Sequence, residues 1–152
     1  MGHIHELIDF TVAAYIVHDK KVLLIHHKKL NMWLPVGGHI ELNEDTDQAL
    51  LREIREECGL RREDLTFIEN RPKNTQHSFL LTPQYVDMHD ITNGHRHIGL
   101  IYFVKSRKTE ILYNEEEHNS IKWFSPEDLD NMEILPHVKM LAKEAIKTQP
   151  SN

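Results

Sequence analysis

The chain of 152 residues predicts an α+β fold, a mixed β-sheet covered by helices on both faces. Three observations point there. Two apolar, β-prone runs open the chain, FTVAAYIV over 10–17 and KVLLIH over 21–26, and His18-Asp19-Lys20 between them reads as a tight turn. An acidic amphipathic helix follows within 44–60. A further continuous apolar run, HIGLIYFV over 97–104, reads as a buried strand, and two helical patterns close the chain.

Each element has its own local signal. Residues 33–42 should hold one short strand ahead of the acidic helix. That helix has Asp45 or Thr46 to cap its start, with Gln48 placed three after Asp45 as in a capping box. Ala49, Leu50 and Ile54 supply its apolar side, and Gly59 fits a left-handed C-terminal cap with Leu60 behind it. A strand is expected over 65–69, then a polar loop over 70–83 broken by Pro72 and Pro83. Residues 84–89 are strand-like, and Asn93-Gly94 marks a turn before the 97–104 strand. An acidic loop over 115–118 leads to a short strand, Ile121-Lys122-Trp123-Phe124. Ser125 then caps a brief helix with Pro126 at its first position and Glu127 and Asp128 behind it. A last helix over 136–147 turns Val138, Leu141, Ala142 and Ala145 inward and runs into a polar tail.

Length and composition bound the function. One domain spanning 1–152 is expected, large enough to bury a core without disulfides or structural metal. The single cysteine, Cys58, cannot bridge internally, which favours a reducing, cytosolic compartment, and it reads as a helix residue rather than a nucleophile. No run approaches the roughly 20 apolar residues of a membrane span, and the N-terminus lacks a basic region followed by an apolar one, so a soluble, unprocessed protein is expected. A net charge of −6 argues against nonspecific nucleic-acid binding and implies that a phosphorylated ligand would meet an acidic site needing cations. Twelve histidines raise the question of zinc. The pairs His26-His27, His95-x-His97 and His3-x-His5 have neither cysteine partners nor helical His-x-x-x-His spacing, so no zinc site is expected.

The chemistry concentrates in GHIELNEDTDQALLREIREECGL, residues 38–60. Glu53, Glu56 and Glu57 stand at i, i+3 and i+4 on one helix face, where their carboxylates can converge. Such a run taken alone is usually a solvated helix face. Carboxylates this close also repel one another unless a cation joins them, and oxygen ligands suit Mg2+ or Mn2+.

The same stretch resembles, at every specified position, the signature of the Nudix hydrolase family, which includes the MutT-like enzymes: glycine, five residues, Glu, seven residues, then Arg-Glu-aliphatic-any-Glu-Glu-any-Gly-aliphatic. Ahead of it, Pro35-Val36-Gly37-Gly38 resembles the family's Pro-Gly-Gly lead-in, except that Val36 interrupts it. The resemblance implies an α/β/α sandwich with a mixed sheet. It also implies metal-dependent cleavage of a diphosphate bond in a nucleoside diphosphate linked to another group, by attack of water on phosphorus.

By resemblance, Glu56 and Glu57 are the principal metal ligands, Glu53 is a further ligand or the general base, and the Gly37 carbonyl is another donor. Gly38, Glu44 and Arg52 would support the site, with Arg52 orienting the carboxylates and Glu44 pinning the loop to the helix. Family members often take another glutamate from the loop before the Trp-Phe strand. Glu117, six before Trp123, matches best as metal ligand or base; Glu116 is the fallback and Glu115 the third acid of that loop.

The leaving group is not legible. Pro72 and His77 match neither the proline of ADP-ribose enzymes nor the tyrosine of dinucleoside polyphosphate enzymes. Lys28, Lys29, Trp33 and His39 need no role in binding substrate. Modest size favours a nucleoside di- or triphosphate pyrophosphohydrolase acting on a small-molecule nucleotide. The alternatives are a nucleotide-sensing domain without catalysis, which usually lacks signature carboxylates that are all present here, and an isopentenyl diphosphate isomerase, whose catalytic cysteine Cys58 replaces poorly.

Overall fold

A computed structural model of the chain describes residues 5–73 and 76–148. Eight strands form one sheet: β1 (Ile8–His18), β2 (Lys21–His27), β3 (Met32–Leu34), β4 (Val36–His39), β5 (Leu65–Phe67), β6 (Tyr85–Thr92), β7 (His95–Ser106) and β8 (His118–Phe124). The helices are α1 (Thr46–Cys58), α2 (Pro126–Asp130) and α3 (Pro136–Thr148). The sheet runs β3-β2-β1-β7-β5, with β4 added to β1, β6 to β7 and β8 to β2. Among the described residues only the β1–β7 pair is parallel, in unbroken register from Ile8↔Arg96 to Val17↔Lys105, so the sheet is mixed as expected.

The two tight hairpins follow from residues that tolerate a left-handed backbone. Asp19 and Lys20 (φ 46° and 62°) turn β1 into β2, and Asn93 and Gly94 (φ 48° and 79°) turn β6 into β7. One expectation fails between residues 33 and 42. There are two strands there and not one, because Pro35 has no N–H to continue a ladder; β3 pairs with β2, and β4 crosses to pair with β1. The last strand is also longer than its Ile121–Phe124 signal, starting at His118 by pairing with His27. The expected polar tail lies outside the described residues beyond Thr148.

Strand alternation divides the core in two. Val12, Ala14, Ile16, Tyr102 and Val104 face Ala49, Leu50, Ile54 and Cys58 of α1. Tyr15, Val17, Leu24, Ile101 and Phe103 face Leu129 of α2 and Val138, Leu141, Ala142, Ala145 and Ile146 of α3. The result is an α/β/α sandwich, with α1 alone on the face that leads to its acidic side.

Candidate active site

Helix α1 is held at both ends by its own sequence. Asp45 caps it in a full capping box with Gln48, and Gly59 (φ 72°) returns its N–H to the Arg55 carbonyl. Its apolar stripe is completely buried, which fixes the azimuth of the acidic stripe beside it.

The three glutamates of that stripe meet different surroundings. Glu57 is buried: one carboxylate oxygen accepts the Gly37 amide at 2.7 Å, and the other lies 3.2 Å from Nε2 of His118. Glu53 is sunk against the strand, accepting from Arg52 Nη1 at 2.8 Å, and burial before all else holds its carboxyl above the ordinary range. Glu56 is open to solvent, tied only to Arg52 Nη1 at 3.1 Å. Arg52 forks onto Glu44 at 2.5 and 2.9 Å and also donates to the His39 carbonyl, while Glu44 accepts the Glu41 amide. These bonds join the loop, the end of β4 and the helix, and the guanidinium beside Glu44 holds that carboxyl below its usual range.

Two glycines let the strand come this close. A Cβ on Gly37 would lie 2.1 Å from the Val12 carbonyl oxygen, and one on Gly38 would lie 2.3 Å from Oε1 of Glu53. Gly38 is therefore the floor on which the Glu53 carboxylate rests.

The loop before β8 arrives from the other side. The Lys28 amide donates to the Glu117 carbonyl at 3.2 Å, the Lys28 ammonium to the Glu115 carbonyl, and the Asn114 carbonyl accepts from the amides of Glu117 and His118. Donor atoms of Glu57, Glu117 and His118 consequently lie within 4.8 Å of one another. Glu115 and Glu116 remain exposed outside this group. His118 was not expected in the site: its imidazole is buried, and among the described residues neither ring nitrogen has a hydrogen-bond partner, the Glu57 contact being close but misaligned. Its only sequence cue was adjacency to Glu117. Cys58 is fully buried with Sγ donating to the Ile54 carbonyl, and burial pushes its thiol up to about 12, which removes it as a nucleophile.

Of the residues expected to form the site, Glu57 and Glu117 are thus brought together, Glu53 and Glu56 share Arg52, and Gly37 meets Glu57 through its amide. The NUDIX domain model matches residues 9–143, which includes the sheet from Asp9 onward and all of these side chains. The chain belongs to the NUDIX family. Among similar Nudix structures, a hydrolase of the NUDIX family from Clostridium perfringens superposes with a TM-score of 0.82 at 34% identity, over 92% of this chain and 97% of that one. The CTP pyrophosphohydrolase of Escherichia coli is 30% identical over 97 residues, 60% of this chain and 72% of that protein. The m7GpppN-mRNA hydrolase NUDT17 of Xenopus laevis is 41% identical over 66 residues, 40% of this chain, and the match spans 22% of the frog protein's length. No helix among the described residues is long and apolar enough to cross a membrane.

Proposed function

We propose that this Nudix protein is a nucleoside di- or triphosphate pyrophosphohydrolase that uses Mg2+ or Mn2+ and cleaves a phosphoanhydride by attack of water on phosphorus. The observation that carries this reading is the approach of Glu57, Glu117 and His118 to within 4.8 Å, with a buried imidazole that has no hydrogen-bond partner. A divalent ion held by the two carboxylates would relieve the repulsion between them, and their oxygens are the donors that suit Mg2+ or Mn2+. When bound, such an ion neutralises phosphate charge and makes water more acidic.

The chain's own residues would divide the remaining work. Glu57 would hold the ion, its bond to the Gly37 amide fixing its rotamer, and the Gly37 carbonyl would be a further donor. Glu117, exposed on its loop, would be the second carboxylate to hold the ion, and Glu56 would be free to add a further oxygen if it left Arg52. Glu53 is the better general base: its partial burial raises its proton affinity toward that needed to take a proton from water, while Arg52 and Gly38 keep it aimed.

The likeness to a relative named CTP pyrophosphohydrolase supports a nucleoside triphosphate over larger conjugates. Placement in the cytoplasm belongs to the same reading, supported by a lone, buried cysteine. The test is a panel of nucleoside di- and triphosphates, deoxynucleotides and a capped dinucleotide, with Mg2+ or Mn2+, reading pyrophosphate and phosphate release. Turnover of a triphosphate to monophosphate and pyrophosphate is expected. Preference for the capped dinucleotide, or turnover of none of them, would refute the assignment.

A further inference from the structure

The spacing of the histidines gave no reason to expect a zinc site, yet the sheet collects several of them at one place. Asp9 pairs with His97 across β1–β7, His39 with Thr11 across β1–β4, and His89 with His97 across β6–β7. His95 lies two residues before His97 and so shares its face. These positions are on the face that carries α2 and α3, because Asp9 alternates with Tyr15 and Val17 and His97 with Ile101 and Phe103. Gly38, beneath Glu53, points the other way with Val12, so the histidine cluster lies on the sheet face opposite α1.

The donor atoms are closely matched. Oδ2 of Asp9 lies 2.8 Å from Nε2 of His95, 3.5 Å from Nε2 of His39 and 3.9 Å from Nε2 of His97, and the last two nitrogens are 3.3 Å apart. At zinc bond lengths of about 2.0–2.1 Å, neighbouring donors of a tetrahedral set lie about 3.4 Å apart. Three of these four separations fall within about half an ångström of that value; the donor atoms of Asp9, His95 and His97 lie mutually within 4.8 Å, and His39 adds its nitrogen from the side of Asp9 and His97.

We propose that Asp9, His95 and His97, joined by His39 once its exposed ring turns toward His95, form a second divalent-cation site, selective for Zn2+ or a similar borderline ion over Mg2+. Three imidazoles and one carboxylate are the donors such ions prefer, whereas Mg2+ seeks oxygen and water. Protons satisfy the cluster less well than a cation does. Two nitrogens that face each other at 3.3 Å can share one proton, and a proton on each would set two N–H donors against each other with no acceptor between them. His97 and His95 are largely covered while His39 and Asp9 are open, which leaves a route for the ion. An ion held there would cross-link β1, β4 and β7, the three strands whose pairing places Gly37 and Gly38 beneath the catalytic helix.

The experiment uses the full chain without an affinity tag, stripped with chelator and then dialysed against Zn2+ in excess Mg2+. Bound zinc is measured by elemental analysis, and Co2+ is substituted to read its tetrahedral visible absorption. One Zn2+ per chain is expected, retained in a Glu57→Gln Glu117→Gln double variant. Its affinity should fall at least about tenfold, the scale for disturbing a metal's ligand shell, in His97→Ala and in Asp9→Asn, the latter preserving side-chain shape. The Co2+ bands should vanish in both, and the wild-type melting temperature should rise with Zn2+ in Mg2+ excess. Absence of bound zinc, zinc unaffected by either substitution, or zinc lost from the Glu57→Gln Glu117→Gln variant and kept in Asp9→Asn would overturn the proposal.

Discussion

The Gly37 amide donates to Oε2 of Glu57 at 2.7 Å, joining a strand to a helix residue twenty positions later through a buried carboxylate. Because an amide can serve a neutral acceptor almost as well, the charge of Glu57 and the shape of its bond can be separated by substitution.

Glu57→Gln should keep the Gly37 bond and the fold while kcat falls by at least about 10²-fold, the scale of losing one strong electrostatic contributor. Excess EDTA should abolish wild-type turnover. Near-normal kcat for the variant at saturating Mg2+, or full turnover in EDTA, would reduce the acidic helix face to a solvated one.

The acidic loop offers an internal comparison. Glu117→Gln should lower kcat strongly with little change in KM if, as proposed, its carboxylate acts where charge develops, and Glu116→Gln, outside the donor group, should change kcat less than about twofold. Equal effects of the two substitutions would remove Glu117 from the site.

The adjacent glycines should respond differently to alanine. At Gly37 the new methyl meets the Val12 carbonyl of the neighbouring strand, so a loss of about 1–3 kcal/mol is expected from chemical denaturation. At Gly38 its nearest neighbours are the atoms of the Glu53 carboxylate, which can swing away, so stability should change less and kcat should fall. A Gly38→Ala enzyme with unimpaired kcat would show that the position of Glu53 is unimportant to the reaction.

Arg52→Ala leaves Glu44 and Glu53 without their shared guanidinium. Both side chains are mostly covered, so the expected cost is about 1–3 kcal/mol, partly restored by a divalent ion that supplies the missing positive charge. Thermal melts with and without Mg2+ decide it; an unchanged melting temperature would mean that the network adds nothing to the fold.

Cys58 makes a pH-dependent prediction. Its thiol is raised to about 12 by burial, whereas in the unfolded chain it ionises near about 8.5, so the two states bind the same protons below that value. Between the two values the unfolded chain loses a proton that the folded chain keeps, and stability should fall by up to about 1.4 kcal/mol per pH unit. Native protein at pH 8 should accordingly resist a thiol-specific reagent until denaturant is added. Rapid labelling of folded protein would contradict the buried thiol.

What could be read beforehand was local. Asp45 with Gln48 and Gly59 with Leu60 delimit α1 through contacts within one turn, and Asp19-Lys20 and Asn93-Gly94 carry their own turn conformations. The break at Pro35 was visible as a residue but not as a change of partner, since which strand receives β4 depends on β1 being free on that side. His118 reaches Glu57 only because β8 pairs with β2 in a register that shifts at His26/His27. Asp9 reaches His97 through parallel pairing with β7, which neither strand's pattern announces.

That parallel pairing also dictates when the protein can become competent. The two central strands meet across more than half of the chain, and β8, which brings Glu117 and His118, is later still. Contacts of such long range close slowly, because the intervening chain must surrender its freedom before they form. A nascent chain that has just finished the acidic helix therefore holds Glu53, Glu56 and Glu57 with nothing opposite them. During synthesis the helix is an acidic surface first, and can become half of the proposed ion site only after β8 in the final third of the chain has been made.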